Sequence, residues 1–513
     1  MKITSPKQHT AYTSANEEAL SRCQTALELK DRGCYEGARE AMGTLWRRVG
    51  ERPETKGLYP SIAAEVLLCV GILTRWIGSR NQIKESQDIA RDLISESITF
   101  YESIGDAKKV AAARAELAYC YWREGAFDEA RIMFGEALQK LTTEGNTRAG
   151  ALLGLAVVEW SDSRFGQALR ILTENASLFN KITNNTIKGS YHNQLALIFR
   201  KLAASGNRNN YYQRAIGEYE EADHHFKLAR NIVFRADVKN NLGVLLCKLC
   251  RFKEAHKYVV EARRLAVGVR DKVLTAQFDD TRAQVFIAEK KYKEAEAVAK
   301  SAVRVLEKSG HQCLLADALI TQGIALARLK RTEQGQFTFQ KAIEVAHQVG
   351  ALNKAGIASL TLIEELEELS LETLYAAYDR ASEWLAKSQS QDLLLRLNTA
   401  ARKVFFRLRS ELKAASATAK AATGEDATAE GATAEKDTDA LLNKPCDLPS
   451  EVLKFESTLI RQALAKANGS LTRAASLLSL SYQALAYILE SRHKDLLKER
   501  TPIRRRSRRA RAP

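Results

Sequence analysis

The end of the chain carries a concentration of positive charge. The segment after Lys498 reads ERTPIRRRSRRARAP, in which seven of fifteen residues are arginine. Guanidinium groups bind phosphate oxygens and release condensed counterions, so this segment is expected to bind a polyanion. The alternative is a solvated tail without a target. The tail residues predicted to contact phosphate are Arg504, Arg505, Arg506, Arg508 and Arg509.

The segment before this tail, LTRAASLLSLSYQALAYILESRHKDLL, has side chains that could contact a nucleic acid. Gln483 can pair with an adenine edge, and Ala486 can contact a thymine methyl group. The cationic groups around them can hold phosphates and fix the position of the bases. The other residues predicted to contact DNA are Ser470, Thr472, Arg473, Ser481, Tyr482, Tyr487, Arg492 and Lys494.

The spacing of apolar residues predicts three short helices that hold these groups. The first covers about 450–467 and is expected to end at Gly469, since glycine commonly follows a helix C-terminus. The second covers 471–478 and can be capped by Ser470. The third runs from 482 to about 490. Such a tight bend between two short helices is typical of a helix-turn-helix.

This block resembles the DNA-binding domain of the factor for inversion stimulation (Fis). The matching residues are Leu464, Gly469, Thr472, Arg473, Ala474, Ala475, Leu478, Leu485 and Leu489. The resemblance implies a third helix that reads DNA and a homodimer formed through the 450–467 helix. The family's third helix is rich in Lys and Arg and this one is not, so phosphate binding is assigned to Arg473, Arg492, Lys494 and the tail. The alternative is a small bundle used only for dimerisation.

A second pattern, with a period near forty residues, fills most of the chain. Small residues recur where two helices would cross closely, with larger apolar residues at fixed offsets. The spacing resembles tetratricopeptide repeats over 15–410 and implies an α-solenoid of about eight helical hairpins with a concave surface that holds a peptide or protein. The small residues are Ala26, Gly71, Ala118, Ala156, Ala196, Gly243, Ala283 and Gly323.

Four amides lie on the first helices of two adjacent repeats and are candidates for partner binding. They are Asn193 with Gln194, and Asn240 with Asn241. An amide supplies both a donor and an acceptor, which suits the backbone of a bound peptide. The alternative is that these amides tie neighbouring helices together or face water.

The order of these features predicts five segments in an all-α protein. With only 7 prolines and 27 glycines in 513 residues, the composition favours helix. Few large apolar residues occur in the Ala- and Thr-rich stretch after the repeats, which predicts a flexible linker. The segments are 1–14 (disordered), 15–410 (solenoid), 411–448 (linker), 449–498 (helix-turn-helix) and 499–513 (basic tail).

Several classes of function are not indicated. The chain has no GxxxxGK[ST], HExxH or GxSxG motif, so we expect no enzyme and no cofactor. Cys247 and Cys250 form a C-x2-C without a second ligand pair, so no metal site is expected. The longest apolar stretch is short and contains Glu65, which predicts no membrane contact and a cytoplasmic, nucleoid-associated protein.

Taken together, these features predict a bacterial-type DNA-binding transcriptional regulator with a partner-binding solenoid. The alternative is a non-enzymatic tetratricopeptide scaffold whose basic end binds RNA or DNA without sequence preference.

Overall fold

The computed structural model describes most of the solenoid and part of the C-terminal region. The residues described are 14–206, 209–386, 388, 390–423, 457–458, 460–467, 469–478, 485–486, 488–489 and 493–499. All regular structure within these ranges is helical, which confirms the all-α prediction. The chain divides into two compact units, Met1–Ser410 and Glu411–Pro513.

The first unit is a series of nine helical hairpins in the described residues. The hairpins are α1 (Ala15–Asp31) with α2 (Tyr35–Met42), α3 (Pro60–Arg80) with α4 (Ser86–Ser103), α5 (Ala107–Glu124) with α6 (Phe127–Lys140), α7 (Asn146–Ser161) with α8 (Phe165–Glu174), α10 (Asn185–Gly206) with α11 (Asn209–Leu228), α12 (Ile232–Lys248) with α13 (Phe252–Gly268), α14 (Lys272–Ala288) with α15 (Tyr292–Leu306), α16 (Gln312–Arg328) with α17 (Thr332–Gln348), and α18 (Leu352–Glu365) with α19 (Leu371–Trp384). Short α9 (Ala176–Lys181) follows α8, a 3-10 helix (Gly43–Leu45) follows α2, and α20 (Gln391–Thr423) follows the last hairpin.

The small residues found in the sequence lie where the two helices of a hairpin cross. Ala118 and Ala283 are fully buried. A Cβ added to Gly243 would lie 2.5 Å from Cγ2 of Val259, and one added to Gly323 would lie 2.7 Å from the Phe339 ring. The helices therefore approach too closely for a larger side chain, as the repeat pattern predicted.

The ninth hairpin was not predicted, because its small residue falls short of the forty-residue period. A Cβ at Gly356 in α18 would lie 2.6 Å from Cγ of Leu385, so this glycine has the same role as the others. The final helix α20 buries Ala400 and Val404 against the end of the array. It covers the apolar face that the last repeat would otherwise expose.

The turns also repeat with a forty-residue period. Backbone φ is positive at Cys250 (58°), Lys290 (64°) and Lys330 (63°), each just after the first helix of a hairpin. A left-handed residue at this point ends the helix and reverses the chain. The hairpins from α12 to α17 consequently share one register.

The first hairpin also contacts the middle of the array. The backbone oxygen of Asp31 accepts hydrogen bonds from Oγ1 of Thr186 and Nδ2 of Asn231, both at 2.8 Å. Gly33 has a φ of 74°, and a Cβ there would lie 2.7 Å from Oδ1 of Asn231. The turn after α1 thus fits closely against the start of α12. This contact closes the solenoid and partly encloses its concave surface.

Helix α3 is the one helix among the described residues that is long and apolar enough to cross a membrane. Within its most apolar stretch, 67% is buried inside the protein. Leu73 and Ile77 are almost fully buried in the core formed with the first hairpin. The apolar character of α3 is therefore used in packing the solenoid.

The second unit has a small apolar core. Residues 457–458 and 460–466 are helical, α21 covers Leu471–Leu477, residues 485–486 and 488–489 are again helical, and a 3-10 helix covers Lys494–Glu499. Gly469 has a φ of 75° and donates its N–H to Leu464 O at 2.8 Å, which ends the leading helix where the sequence predicted. The most buried core residues are Ile460, Leu464, Ala474, Ala475, Leu485, Leu489 and Leu496.

Two helices cross predicted segment boundaries. Helix α20 continues to Thr423, into the segment 411–448 predicted as a linker. Alanine has the highest helix propensity, and extending an existing helix needs no new nucleus. The 3-10 helix was also missed; it buries Leu496 in the core and crosses the boundary predicted at 498. Residues 1–13 of the predicted segment 1–14, and the ranges 424–456 and 500–513, lie outside the described residues.

Candidate functional site

Polar residues line the concave surface at fixed positions before the small residues. One set lies three residues before them, with Asn193 on α10, Asn240 on α12 and Asp280 on α14. A second set lies one turn earlier, with Ser190, Asp237, Gln277 and Asp317. Residues three or four apart share a helix face, so the two sets form adjacent rows along the inner helices.

Three neighbouring cavities follow these rows, and Gln277 lines all of them. We call them together the groove. The first, about 460 Å³, is lined by Ser190, Asn193, Asp237, Asn240 and Asn241. The second, about 480 Å³, is lined by Asp280, Thr281, Asp317 and Thr321. The third, also about 480 Å³, is lined by Tyr35, Trp76, Arg80, Arg123, Asp271 and His311.

Three of the four amides predicted to bind a partner line the groove. They are Asn193, Asn240 and Asn241. Asn240 is only 7% exposed, and its Oδ1 has no hydrogen-bond partner among the described residues. Oδ1 of Asn193 is also without a partner in that part of the chain. Gln194 is 5% exposed and does not line the groove.

The groove also contains two carboxylates that sequence analysis missed. Burial raises the pKa of Asp237 to about 7; Arg80 opposes the shift and Asp271 adds to it. Burial likewise raises the pKa of Asp280 to about 7, with a further contribution from Asp317. Asp280 accepts a hydrogen bond from Nε2 of Gln284 at 2.8 Å, and Thr321, Gln284 and Lys354 oppose the shift. Asp237 lies six residues before Gly243 and Asp280 three residues before Ala283, which are the offsets of the two polar rows and were the available signal.

The other two groove carboxylates have cationic partners. Asp271 forms an ion pair with Arg80. Asp317 Oδ1 accepts a hydrogen bond from Nζ of Lys354 at 2.6 Å. Within the described ranges, Asp237 and Asp280 form no ion pair, so the two kinds of carboxylate differ in charge compensation.

A cationic and aromatic cluster, which we call the cationic wall, lies next to the third cavity: Arg123 lines the cavity, and Arg75 is buried over the ring of Trp76, which also lines it. Arg75 is 3% exposed; its Nη2 donates to Oε2 of Glu116 at 2.7 Å and its guanidinium lies 4.7 Å from the Tyr119 ring. Arg123 lies 4.6 Å from the Trp122 ring. Burial lowers the pKa of Arg123 to about 10, and repulsion from Arg75 lowers it further. This wall uses aromatic faces and carboxylates to hold its cations.

The described part of the helix-turn-helix leaves several predicted DNA-binding groups accessible. Thr472 and Arg473 are exposed on α21, and Lys494 is exposed on the 3-10 helix. Ser470 is half-buried before α21, and its backbone oxygen accepts the N–H of Ala474 at 2.8 Å. Ala486 is half-buried against the apolar core.

The remaining predicted DNA-binding residues lie outside the described ranges. They are Ser481, Tyr482, Gln483, Tyr487, Arg492, Arg504, Arg505, Arg506, Arg508 and Arg509. Among the described residues, no group of three or more His, Cys, Asp or Glu side chains could hold a metal ion.

Comparison with known families identifies the C-terminal block. Residues 452–490 match the model of the bacterial regulatory protein, Fis family. The second unit thus contains a Fis-type helix-turn-helix, joined in one chain to a tetratricopeptide-like solenoid. A comparison with curated protein sequences finds no match.

Solved structures with a similar fold are helical-repeat proteins. Yeast Tom70 is 14% identical, with a TM-score of 0.43, over 80% of this chain and 79% of its own. Aspartyl phosphate phosphatase F from Bacillus subtilis is 11% identical, with a TM-score of 0.44, over 76% and 96%. A signal transduction ATPase with a tetratricopeptide repeat sensor from Pyrococcus horikoshii is 15% identical, with a TM-score of 0.44, over 73% and 64%.

Proposed function

We propose that this protein is a non-enzymatic, DNA-binding transcriptional regulator of the cytoplasm, associated with the nucleoid, whose solenoid binds an extended segment of a partner. The observation that carries the proposal is the Fis-type helix-turn-helix, with its buried apolar core and the exposed Thr472 and Arg473. A helix-turn-helix positions one helix in the major groove while neighbouring groups hold the phosphates.

Sequence discrimination and affinity are assigned to different residues. Gln483, with Tyr482 and Tyr487, is proposed to contact base edges, because amides can pair with adenine. Arg473, Lys494 and the arginine tail are proposed to contact phosphates, because the third helix offers little charge. The 450–467 helix is proposed to pair with a second copy, which would place two modules about one helical turn of DNA apart.

The groove is proposed as the partner-binding site. Its polar rows present amide groups that can both donate to and accept from a peptide backbone. The Asn240 and Asn193 oxygens lack partners in the described part of the fold, which supports a ligand-facing role. Replacing Asn240 and Asn241 with alanine should weaken partner binding by about 1 to 3 kcal/mol with an unchanged circular dichroism spectrum. Loss of the fold would instead assign these amides to packing.

Genome-wide mapping of the full chain on DNA tests the proposal. A regulator should occupy sharp, recurrent sites, and Gln483→Ala should weaken the preferred site by about 1 to 3 kcal/mol with little change on random DNA. Removing 503–513 should lower the slope of log affinity against log salt by about 3 to 5 on both DNAs. A matched tail with lysine for each arginine should keep the slope. Diffuse coverage that ignores Gln483 would favour the nonspecific scaffold.

A further inference from the structure

Two carboxylates in the groove, one buried and one half-buried, have no ion-pair partner among the described residues. Asp280 is 7% exposed, lines the groove, and its Oδ1 has no hydrogen-bond partner among the described residues. Asp237 is half-buried one repeat earlier and also lines the groove. Buried carboxylates are normally paired or fully hydrogen-bonded, because an isolated charge is costly away from water.

The cations nearest to these carboxylates already have other partners. Arg80 forms its ion pair with Asp271, and Lys354 forms its pair with Asp317. His311 also lines the groove, but burial lowers its pKa, so the ring is neutral near pH 7. Arg123 lies over the Trp122 ring and forms no ion pair within the described residues. With a pKa of about 7, Asp237 and Asp280 are each only partly ionised at neutral pH, and a cationic ligand would stabilise their ionised forms.

The unpartnered oxygens around them are acceptors too. Oδ1 of Asn193 and Oδ1 of Asn240 lie in the same row as Asp280 and have no partner in the described fold. An amide can rotate to exchange its oxygen and nitrogen, whereas an ionised carboxylate can only accept. A ligand that satisfies these acceptor oxygens must therefore supply hydrogen-bond donors. The donors that meet Asp237 and Asp280 should be cationic.

We infer that the groove recognises an extended, positively charged peptide, with Asp237 and Asp280 each pairing with a lysine or arginine side chain or the peptide amino terminus. This inference rests on the proposed peptide-binding function of the groove. The two carboxylates lie on successive inner helices, and packed helices are separated by about 8 to 10 Å. An extended peptide advances about 3.3 Å per residue, so the two cationic groups should lie about three residues apart. The Asn240 amide would bind the peptide backbone between them, and the Asn193 amide would bind it one repeat before Asp237.

A random heptapeptide library panned on the immobilised full chain tests this inference. The wild-type protein should enrich peptides with two Lys or Arg residues, and the Asp237→Asn, Asp280→Asn double variant should not. Each single substitution should weaken the best peptide by at least about tenfold, because it removes a charge-assisted pair. Glu307→Gln, which removes one negative charge from an outer ion pair with Lys341, should change affinity by less than about twofold.

A second measurement does not depend on the variants folding. The best peptide is resynthesised with norleucine for each lysine and titrated into the wild-type protein, where binding should be lost. If the wild type enriches neutral or acidic peptides, or if the best peptide binds the double variant equally well, the inferred preference for cationic peptides is wrong. The groove would then still be a peptide-binding site. Failure to enrich any peptide would overturn both the inference and the proposed groove function. If spermidine raises the melting temperature as much as the best peptide does, the site binds a polyamine and the inferred peptide ligand is wrong.

Discussion

The two sides of the groove differ in how their charges are neutralised. On the cationic wall, Arg75 is buried with Glu116 as its partner and Tyr119 beneath it. On the inner helices, Asp280 is buried and Asp237 is half-buried, and neither has an ion-pair partner among the described residues. A charge that stabilises a fold comes with its counter-charge, whereas a buried charge left open to a cavity is suited to a ligand. The difference separates structural from ligand-facing groups on one surface.

The largest effect is expected when the compensation on the cationic wall is broken. Glu116→Ala leaves the Arg75 guanidinium buried without its carboxylate, and should lower the free energy of unfolding by about 3 kcal/mol. Urea unfolding followed by circular dichroism measures the change. Glu307→Ala breaks an outer ion pair with Lys341 and should cost only about 0 to 1 kcal/mol. Equal losses in the two variants would remove the distinction between the wall and the surface.

Replacing a groove carboxylate that has no ion-pair partner among the described residues should instead raise the free energy of unfolding. The folded-state pKa of Asp280, about 7, lies above its ordinary value of 3.8, so the folded protein binds its proton more tightly than the unfolded chain does. Its contribution to stability is present at low pH and is lost as pH rises from about 4 to about 7. Asp280→Asn should therefore gain stability relative to wild type across this window, by about 1 to 3 kcal/mol at pH 8.

Unfolding midpoints at pH 5 and pH 8 measure this gain. Asp317→Asn is the matched control, since it removes a groove carboxylate that has a cation, and it should destabilise the protein at pH 8 by leaving Lys354 without its pair. An Asp280→Asn variant less stable than wild type at pH 8 would mean that this carboxylate is compensated in the folded protein.

A smaller effect is expected at the contact that brings the two sides together. Asn231 caps α12 by accepting the N–H of Phe234 at 2.9 Å and also donates to Asp31 O. Asn231→Ala should cost about 1 to 2 kcal/mol and accelerate hydrogen exchange in the turn after α1. Asp106 caps α5 in the same way without a contact to the first hairpin, so Asp106→Ala should cost about 1 kcal/mol and leave exchange in that turn unchanged. If both variants show the same hydrogen exchange in the turn after α1, the contact between Asn231 and Asp31 does not hold that turn against α12.

The smallest effect is expected at Arg123, the groove cation that forms no ion pair within the described residues. Arg123 is exposed as a residue and lines the groove, although its charged group is partly desolvated there, so Arg123→Gln should change stability by less than about 0.5 kcal/mol. Removal of one repulsive charge should raise affinity for a cationic heptapeptide by about twofold. Fluorescence anisotropy measures this change. A large loss of affinity would show instead that Arg123 contacts the ligand, and would place an anionic group at that end of the groove.

Much of the architecture could be predicted from the sequence because it depends on local spacing. Small residues such as Gly243 and Gly323 occur where two consecutive helices cross, and Gly469 ends the leading helix of the second unit. These features involve residues close in the chain, so they leave a periodic pattern. The ninth hairpin was missed because Gly356 breaks the period, and the extent of α20 was missed because an alanine-rich segment resembles a linker in composition.

The candidate groove was predicted only in part. Asn193, Asn240 and Asn241 were found because adjacent amides recur on the first helices of two neighbouring repeats. Asp237 and Asp280 were not found, because a single aspartate in a helix has the same pattern whether it faces water, a cation or a cavity.

Local spacing in the chain encodes eight of the nine described hairpins and the Fis-type module at its end. Which side chains share the groove, and which of its charges are neutralised, depends on tertiary contacts. Asp31 meets Asn231, and Arg80 meets Asp271, across most of the solenoid's inner surface. No local spacing encodes such pairs, because they form only after the hairpins have stacked and the superhelix has closed on itself.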